Sequence, residues 1–264
     1  MSDAAVLYEA RDGVAEVTLN RPENRNSMTE DVFSGLQDAL ERIRNDREVR
    51  CVIITGVGRS FCAGADFKSG LQRGGDHEGY RAPNERSMAM YEPFLGILEI
   101  EVPVIAAMHG HAVGGGLGLG LVCDLRIANQ EARYGANFTR LGLHPGMATT
   151  YFLPRLVGIP RAAEWLFTGK LVSGEEAAQA GLANYAVPGD AVLGKGRELA
   201  AEIAAAAPLA VRWTKRSLYR GLGWDPRGAA EMEAHAQSRT VETEDAQEGI
   251  KALLEKRDPV FRGR

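Results

Sequence analysis

Two glycine-containing bends constrain this chain more than any other feature. One is Ser60-Phe61-Cys62-Ala63-Gly64-Ala65-Asp66-Phe67-Lys68; the other is His111-Ala112-Val113-Gly114-Gly115-Gly116-Leu117-Gly118. Each comes just after a β-branched, strand-like run, Val52-Ile53-Ile54-Thr55 for the first and Val102-Pro103-Val104-Ile105 for the second. Glycine admits backbone conformations that turn an N–H outward. Two such donors aimed at one point form an oxyanion hole for a carbonyl that gains negative charge. The pair points to an enzyme that handles an activated acyl group.

Composition narrows the setting. Apolar residues make up 45% and charged residues 25%, the balance of a soluble globular protein, and 264 residues suffice for one large domain or two small ones. A formal charge of −4 with scattered Lys and Arg argues against nucleic-acid binding. The three cysteines, Cys51, Cys62 and Cys123, have no metal-site or CxxC spacing, and their odd number suits a reducing compartment. Cys51 and Cys123 sit in apolar runs and read as buried thiols. Met1-Ser2-Asp3-Ala4 lacks the order of a signal peptide, and the apolar region from Val102 to Cys123 is interrupted by His109, His111 and six glycines. The expectation is a cytoplasmic protein with no membrane span.

The periodicities suggest a helix-flanked sheet followed by a helical tail. Val6–Ala10, Arg11-Asp12-Gly13 and Val14–Leu19 read as a β-hairpin. Thr29 is placed to cap a helix with Val32, Phe33, Leu36, Leu40 and Ile43 on one side, and the strand 51–55 after it implies a parallel crossover. Ser69 to Pro83 reads as a surface loop, Met88 to Ile100 as a helix, and 124–128 and 132–135 as short strands. Pro145-Gly146 is expected to open a helix whose apolar side is Tyr151, Phe152, Leu156 and Val157. Beyond about residue 190 come Ala-rich helices at 191–206, 208–221, 226–243 and 245–256. Leu193, Leu199 and Ile203 mark a core face of the first; Leu209, Val211, Trp213 and Leu218 belong to the second.

Taken together, these pieces resemble the crotonase, or enoyl-CoA hydratase/isomerase, superfamily. The resemblance is carried by Leu19-Asn20-Arg21-Pro22, Asn26-Ser27-Met28, Ser60–Lys68, Pro103–Gly118 and Cys123-Asp124-Leu125. It continues through Gly142-Leu143-His144-Pro145-Gly146, Pro154–Gly158, Leu166–Gly169 and Ala177–Leu182. It implies an α/β fold: a crotonase-like spiral of ββα units over residues 1–190 that holds the acyl-CoA site, with a helical C-terminal trimerisation region at 191–264. It also implies a homotrimer or hexamer, and an acyl-CoA thioester whose oxygen sits between the N–H groups of Ala65 and Gly115. Gly115 opens a helical run, where N–H groups are unpaired and the helix dipole favours negative charge. Around the substrate the resemblance places Arg25, Ala63, Asp66, Phe67 and Lys68 for CoA, with Lys256 and Phe261 as looser candidates. It calls for no cofactor beyond the CoA of the substrate, and no metal.

The sequence departs from the hydratases where proton transfer is concerned. Hydration needs two carboxylates; at the corresponding positions stand Gly118 and Phe138. Aspartates used elsewhere in the superfamily would align with Pro145 and Gly146. Other groups remain for acid–base work: His144, Tyr91, and the loop group Asp76, His77, Glu78 and Glu85. His109 and His111 read as structural, and Asp124 as a fold-stabilising acceptor. Three readings stay open. The first is an enzyme that stabilises a thioester enolate, for decarboxylation or carbon–carbon cleavage; the second, a non-catalytic acyl-CoA binder; the third, a hydratase or isomerase with a displaced carboxylate.

Overall fold

A computed structural model describes residues 3–66 and 82–264. Phe67, Lys68, Asp76, His77, Glu78 and nearly all of the expected loop at 69–83 lie outside the described residues.

The hairpin forms as read: β1 (Val6–Arg11) pairs antiparallel with β2 (Val14–Leu19), and Asp12 and Gly13 close it at φ 51° and 78°. Helix α1 (Glu30–Asn45) buries Val32, Leu36, Leu40 and Ile43. Thr29 holds the N-cap position, but its hydroxyl bonds the Asp31 carboxylate and not the helix backbone. Next comes β3 (Cys51–Gly56), then the three-residue strand β4 (Ser60–Cys62). The helix expected from Met88 begins earlier, as α2 (Pro83–Leu95), and ends in a 3-10 turn, Gly96–Glu99.

The same step then recurs. Strand β5 (Val104–Met108) is followed by the short β6 (His111–Val113) and by α3 (Gly115–Leu121). Strand β7 (Leu125–Asn129) is followed by the short β8 (Arg133–Gly135). The long strands β3, β5 and β7 lie side by side and parallel in one sheet; the short ones, β4, β6 and β8, lie side by side and parallel in another. Each chain segment thus visits the first sheet and then the second, which makes the turns of a spiral.

A loop leads to α4 (Thr149–Val157) and α5 (Ile159–Thr168). The helix does not start at Pro145-Gly146, and it buries Thr149, Leu153 and Val157 while Tyr151 is exposed. Strand β9 (Val172–Ser173) adds antiparallel to β8, and after α6 (Gly174–Gln179), β10 (Tyr185–Val187) closes the far edge of the first sheet. The first sheet is covered on both faces. Cys51, Ile53, Ile105, Ala107 and Ile127 meet α7 (Val192–Ala205), while Val52, Ile54, Val104, Ala106 and Met108 belong to the larger core with α1, α3 and the second sheet.

Beyond α7, helices α8 (Pro208–Gly221), α9 (Pro226–Thr240) and α10 (Glu244–Glu255) bury few side chains. Leu218, Ile250, Leu253 and Leu254 are exposed on them, as are Leu222 and Trp224 between α8 and α9. The tail is tied back by Arg50, which donates to the carbonyls of Ala204 and Phe261, and by Asp245, which accepts the N–H groups of Arg262 and Gly263.

Candidate functional site

The two bends follow β4 and β6, not β3 and β5 directly. Because β4 and β6 are parallel neighbours, the bends leave the second sheet side by side. Glycine makes the contact between them possible. Gly64 has φ +84°, and a Cβ there would stand 2.7 Å from the Val113 carbonyl oxygen and 3.1 Å from the Gly115 nitrogen. At Gly116 a Cβ would overlap the Cys62 carbonyl. The backbones are therefore packed against each other with no room for side chains.

A third segment braces the first bend. Arg25 and Asn26 both adopt left-handed conformations, φ 61° and 54°. Asn26 is fully buried; its amide donates to Val57 and Ser60 carbonyls and accepts the Arg21 N–H. The Ala63 N–H then bonds the Arg25 carbonyl, the Met28 N–H bonds the Gly64 carbonyl, and Met28 and Ala65 form a parallel bridge. In that bridge Met28 is the donor. Among the described residues, neither Ala65 nor Gly115 gives its own N–H to a backbone carbonyl. Gly115 is the first residue of α3, where no intrahelical acceptor exists. At the other end of α3 the buried Arg126 guanidinium donates to the Cys123 and Gly120 carbonyls and to Leu182. It complements the negative end of the helix.

Side chains close the facing wall. Met28 and Met147 flank Gly115: a Cβ on that glycine would stand 2.8 Å from the Met28 sulfur and 3.7 Å from the Met147 Cγ. Gly118 faces Met147 so closely that any Cβ would overlap the Met147 Cβ. The Phe138 ring reaches toward Gly114, with its Cζ 3.8 Å from where a Cβ would lie. The Tyr91 hydroxyl packs onto Gly146, its Cζ 3.1 Å from the equivalent point there. That hydroxyl has no hydrogen-bond partner among the described residues. These contacts set Phe138 and Met147 against α3 and its N-cap, with Tyr91 on Gly146 beside Met147 and Ala65 across the joined bends.

The other candidates fall outside this cluster. His144 is exposed, and its Nδ1 lies 2.8 Å from the Pro145 carbonyl oxygen. Glu85 serves as a helix cap, its carboxylate accepting the Ala82 N–H at 3.1 Å. Arg25 is exposed, and Ala63 and Asp66 are half-buried beside the bend. His109 and His111 act structurally. His109 Nε2 meets the Gly58 carbonyl at 3.1 Å, and His111 Nδ1 accepts the Arg133 N–H at 2.9 Å. Asp124 accepts from the Val104 N–H and from Lys215, both at 2.7 Å. Burial pushes the Cys51, Cys62 and Cys123 thiols up to about 12, so none is a nucleophile.

Residues 9–264 match the family model described as Enoyl-CoA hydratase/isomerase. The chain belongs to the enoyl-CoA hydratase/isomerase family. It is 41% identical over 256 residues, 95% of this chain and 85% of the other, to enoyl-CoA hydratase domain-containing protein 2, mitochondrial, of Bos taurus. It is 37% identical over 264 residues, 98% and 99% of the two chains, to (E)-benzylidenesuccinyl-CoA hydratase of Thauera aromatica. The crystal structure of enoyl-CoA hydratase from Bacillus anthracis superposes with a TM-score of 0.92 at 35% identity, covering 98% of this chain and 100% of that one. The crotonase fold read from the sequence is thus the fold of the chain, and the protein is an enzyme of the hydratase/isomerase kind.

Sequence reading missed two supports of this enoyl-CoA hydratase/isomerase site. Asn26 was legible only as part of a motif, although asparagine beside a turn is a known left-handed residue. Met147 gave no signal at all, because its inward aim depends on a positive φ, 58°, at a residue that rarely adopts one.

Proposed function

We propose that the protein binds an acyl-CoA thioester with its carbonyl oxygen between the Ala65 and Gly115 N–H groups, and that it acts by stabilising the thioester enolate. One observation carries this reading: the interlocked bends at Gly64 and Gly115, with two N–H groups left over. Polarisation by such donors, at a helix N-terminus, is worth about 3–4 kcal/mol of transition-state stabilisation for each donor. The names of the relatives, which act on CoA thioesters, support the substrate class.

Proton transfer in this reading falls to Tyr91 and not to glutamates. The two positions of the hydratase glutamates are Gly118 and Phe138, and neither can carry a proton. Tyr91 brings a hydroxyl that has no hydrogen-bond partner among the described residues, whereas His144 is exposed. The reaction that fits is decarboxylation of a 2-carboxyacyl-CoA. The bond to the carboxylate breaks, carbon dioxide leaves, and the electron pair passes through the α-carbon onto the thioester oxygen held by the two N–H groups. The Tyr91 hydroxyl then protonates the α-carbon to give the acyl-CoA, and the tyrosinate recovers its proton from water. Arg25, Ala63, Asp66, Phe67 and Lys68 are proposed to hold the CoA moiety. No cofactor or metal is needed. The exposed apolar residues of α8 to α10 support assembly of residues 191–264 into a trimer or a pair of trimers, and the cytoplasm is the proposed location.

The test is incubation with crotonyl-CoA, a 3-enoyl-CoA and methylmalonyl-CoA, read by mass spectrometry. Loss of carbon dioxide from methylmalonyl-CoA, abolished by Tyr91→Phe with binding intact, is the expected result. Water addition to crotonyl-CoA at ordinary enzyme rates would overturn the assignment. Binding of all three without product would leave an acyl-CoA binder.

A further inference from the structure

Met147 stands in an unusual conformation for what it does. Both Met147 and Ala148 have positive φ, 58° and 50°, a region that residues with a Cβ rarely occupy and glycine enters freely. A loop that needed only to turn would be better served by glycine there. The conformation is nonetheless held from several sides. The Thr149 hydroxyl donates to the Gly146 carbonyl at 2.6 Å and the Thr149 N–H to the same oxygen at 3.1 Å. The Tyr151 and Phe152 N–H groups both bond the Ala148 carbonyl, at 2.9 and 3.1 Å.

The outcome of that turn is an inward side chain. Met147 is 5% exposed, and it lies against two glycines of α3. From Gly118 a Cβ would overlap the Met147 Cβ and stand 3.1 Å from its Cγ; from Gly115 the distance to that Cγ would be 3.7 Å. Position 118 and Met147 therefore compete for one volume. The Met147 Cβ and Cγ fill it, one turn of helix from the Gly115 N–H.

Resting on the acyl-CoA reading above, we propose that Met147 is the residue that sets which acyl groups this pocket takes. With Met28 across Gly115, it narrows the space beyond the α-carbon to a short acyl chain. Shortening it opens the volume beside Gly115 and Gly118, and longer acyl chains then enter. A methionine is a suitable filler because its unbranched chain adapts to an irregular gap. Each methylene of acyl chain gained or lost from an apolar pocket changes preference by about tenfold or more.

The experiment is a calorimetric binding series with acetyl-, butyryl-, isobutyryl- and hexanoyl-CoA on the wild type, Met147→Ala and Met147→Leu. Met147→Ala is expected to shift preference toward hexanoyl-CoA by about tenfold relative to acetyl- and isobutyryl-CoA, while Met147→Leu keeps the wild-type order. Gly118→Ala is expected to lower the melting temperature in the wild type and to be tolerated beside Met147→Gly, which removes the Cβ that the new methyl meets. An unchanged order of preference in a folded Met147→Ala overturns the proposal but leaves the acyl-CoA site standing. Failure of the wild type to bind any of the four removes that site, and this inference with it. If Met147→Ala does not fold, Met147→Gly, which suits φ 58°, takes its place in the binding series, and an unchanged order of preference in it overturns the proposal.

Discussion

The two halves of the site are built on different principles. Around Gly64, Gly115 and Gly116 backbone meets backbone, and the shape is set by which residues have no side chain. Across from it, Met147 meets the same helix, Phe138 its N-cap Gly114 and Tyr91 the neighbouring Gly146, each through its side chain. The first half aims N–H groups, a property that no side chain can supply or retune. In the proposed reading the second half decides which groups stand near the acyl carbons, and single substitutions can change it. On that reading, one fold can keep its means of polarising a thioester while its proton chemistry and its acyl preference drift.

The contrast is broken most severely at Gly116. Gly116→Ala pushes a Cβ into the Cys62 carbonyl. A backbone atom cannot rotate aside, so a loss of about 3 kcal/mol or more is expected in urea unfolding. Stability close to wild type would show that the bends are not locked together. Gly64→Ala adds both a contact 2.7 Å from the Val113 oxygen and the strain of φ +84°. It is expected to reduce turnover of the physiological acyl-CoA by about a hundredfold or more by moving one donor. A rate within a few-fold of wild type would separate the bend from catalysis.

On the side-chain half, Tyr91→Phe removes one oxygen and nothing else. Its unfolding free energy is expected to stay within about 0.5 kcal/mol of wild type. Turnover should fall by about a hundredfold, the usual reach of a positioned acid. His144→Ala is expected to stay within about twofold, since its ring is exposed. The reverse ranking in steady-state kinetics would transfer the acid to the loop.

The smallest effect concerns pH. His109 ties the link between β3 and β4 to the end of β5 through the Gly58 carbonyl. Burial lowers its pKa, with the Gly58 and Ala107 carbonyls pulling partly the other way. The folded state therefore prefers the neutral ring. Its contribution is fully present above the unfolded value of about 6.5 and is lost as pH falls through the lower folded value. Wild-type urea midpoints should drop between pH 7.5 and 5.5 by more than those of His109→Gln. Equal drops would place the pH response elsewhere.

Much of the architecture is legible in the sequence alone. The hairpin, α1, the long strands and the four C-terminal helices all have lengths or periods that a reader can count. Strands β4 and β6 were not, because three residues carry no period, and they are the elements that set the bends side by side. Helix α4 was placed too early because Pro145-Gly146 resembles a helix start, whereas Met147 and Ala148 extend the loop in left-handed conformations. Of the site candidates, Gly115 and Gly118 both face Met147, Phe138 lies against Gly114 and Tyr91 against Gly146, while His144 and Glu85 are engaged elsewhere.

Residue types alone determined that this chain would form a crotonase spiral, that two glycine bends would flank a helix N-terminus, and that no carboxylate stands at positions 118 and 138. Those are matters of local conformation and chemical identity, which each residue carries with it. Contact across the bends, the inward turn of Met147 and the packing of the Tyr91 hydroxyl onto Gly146 came only with the folded chain. They depend on segments far apart in sequence arriving at one place, and packing distances between such segments are not a property of any one of them.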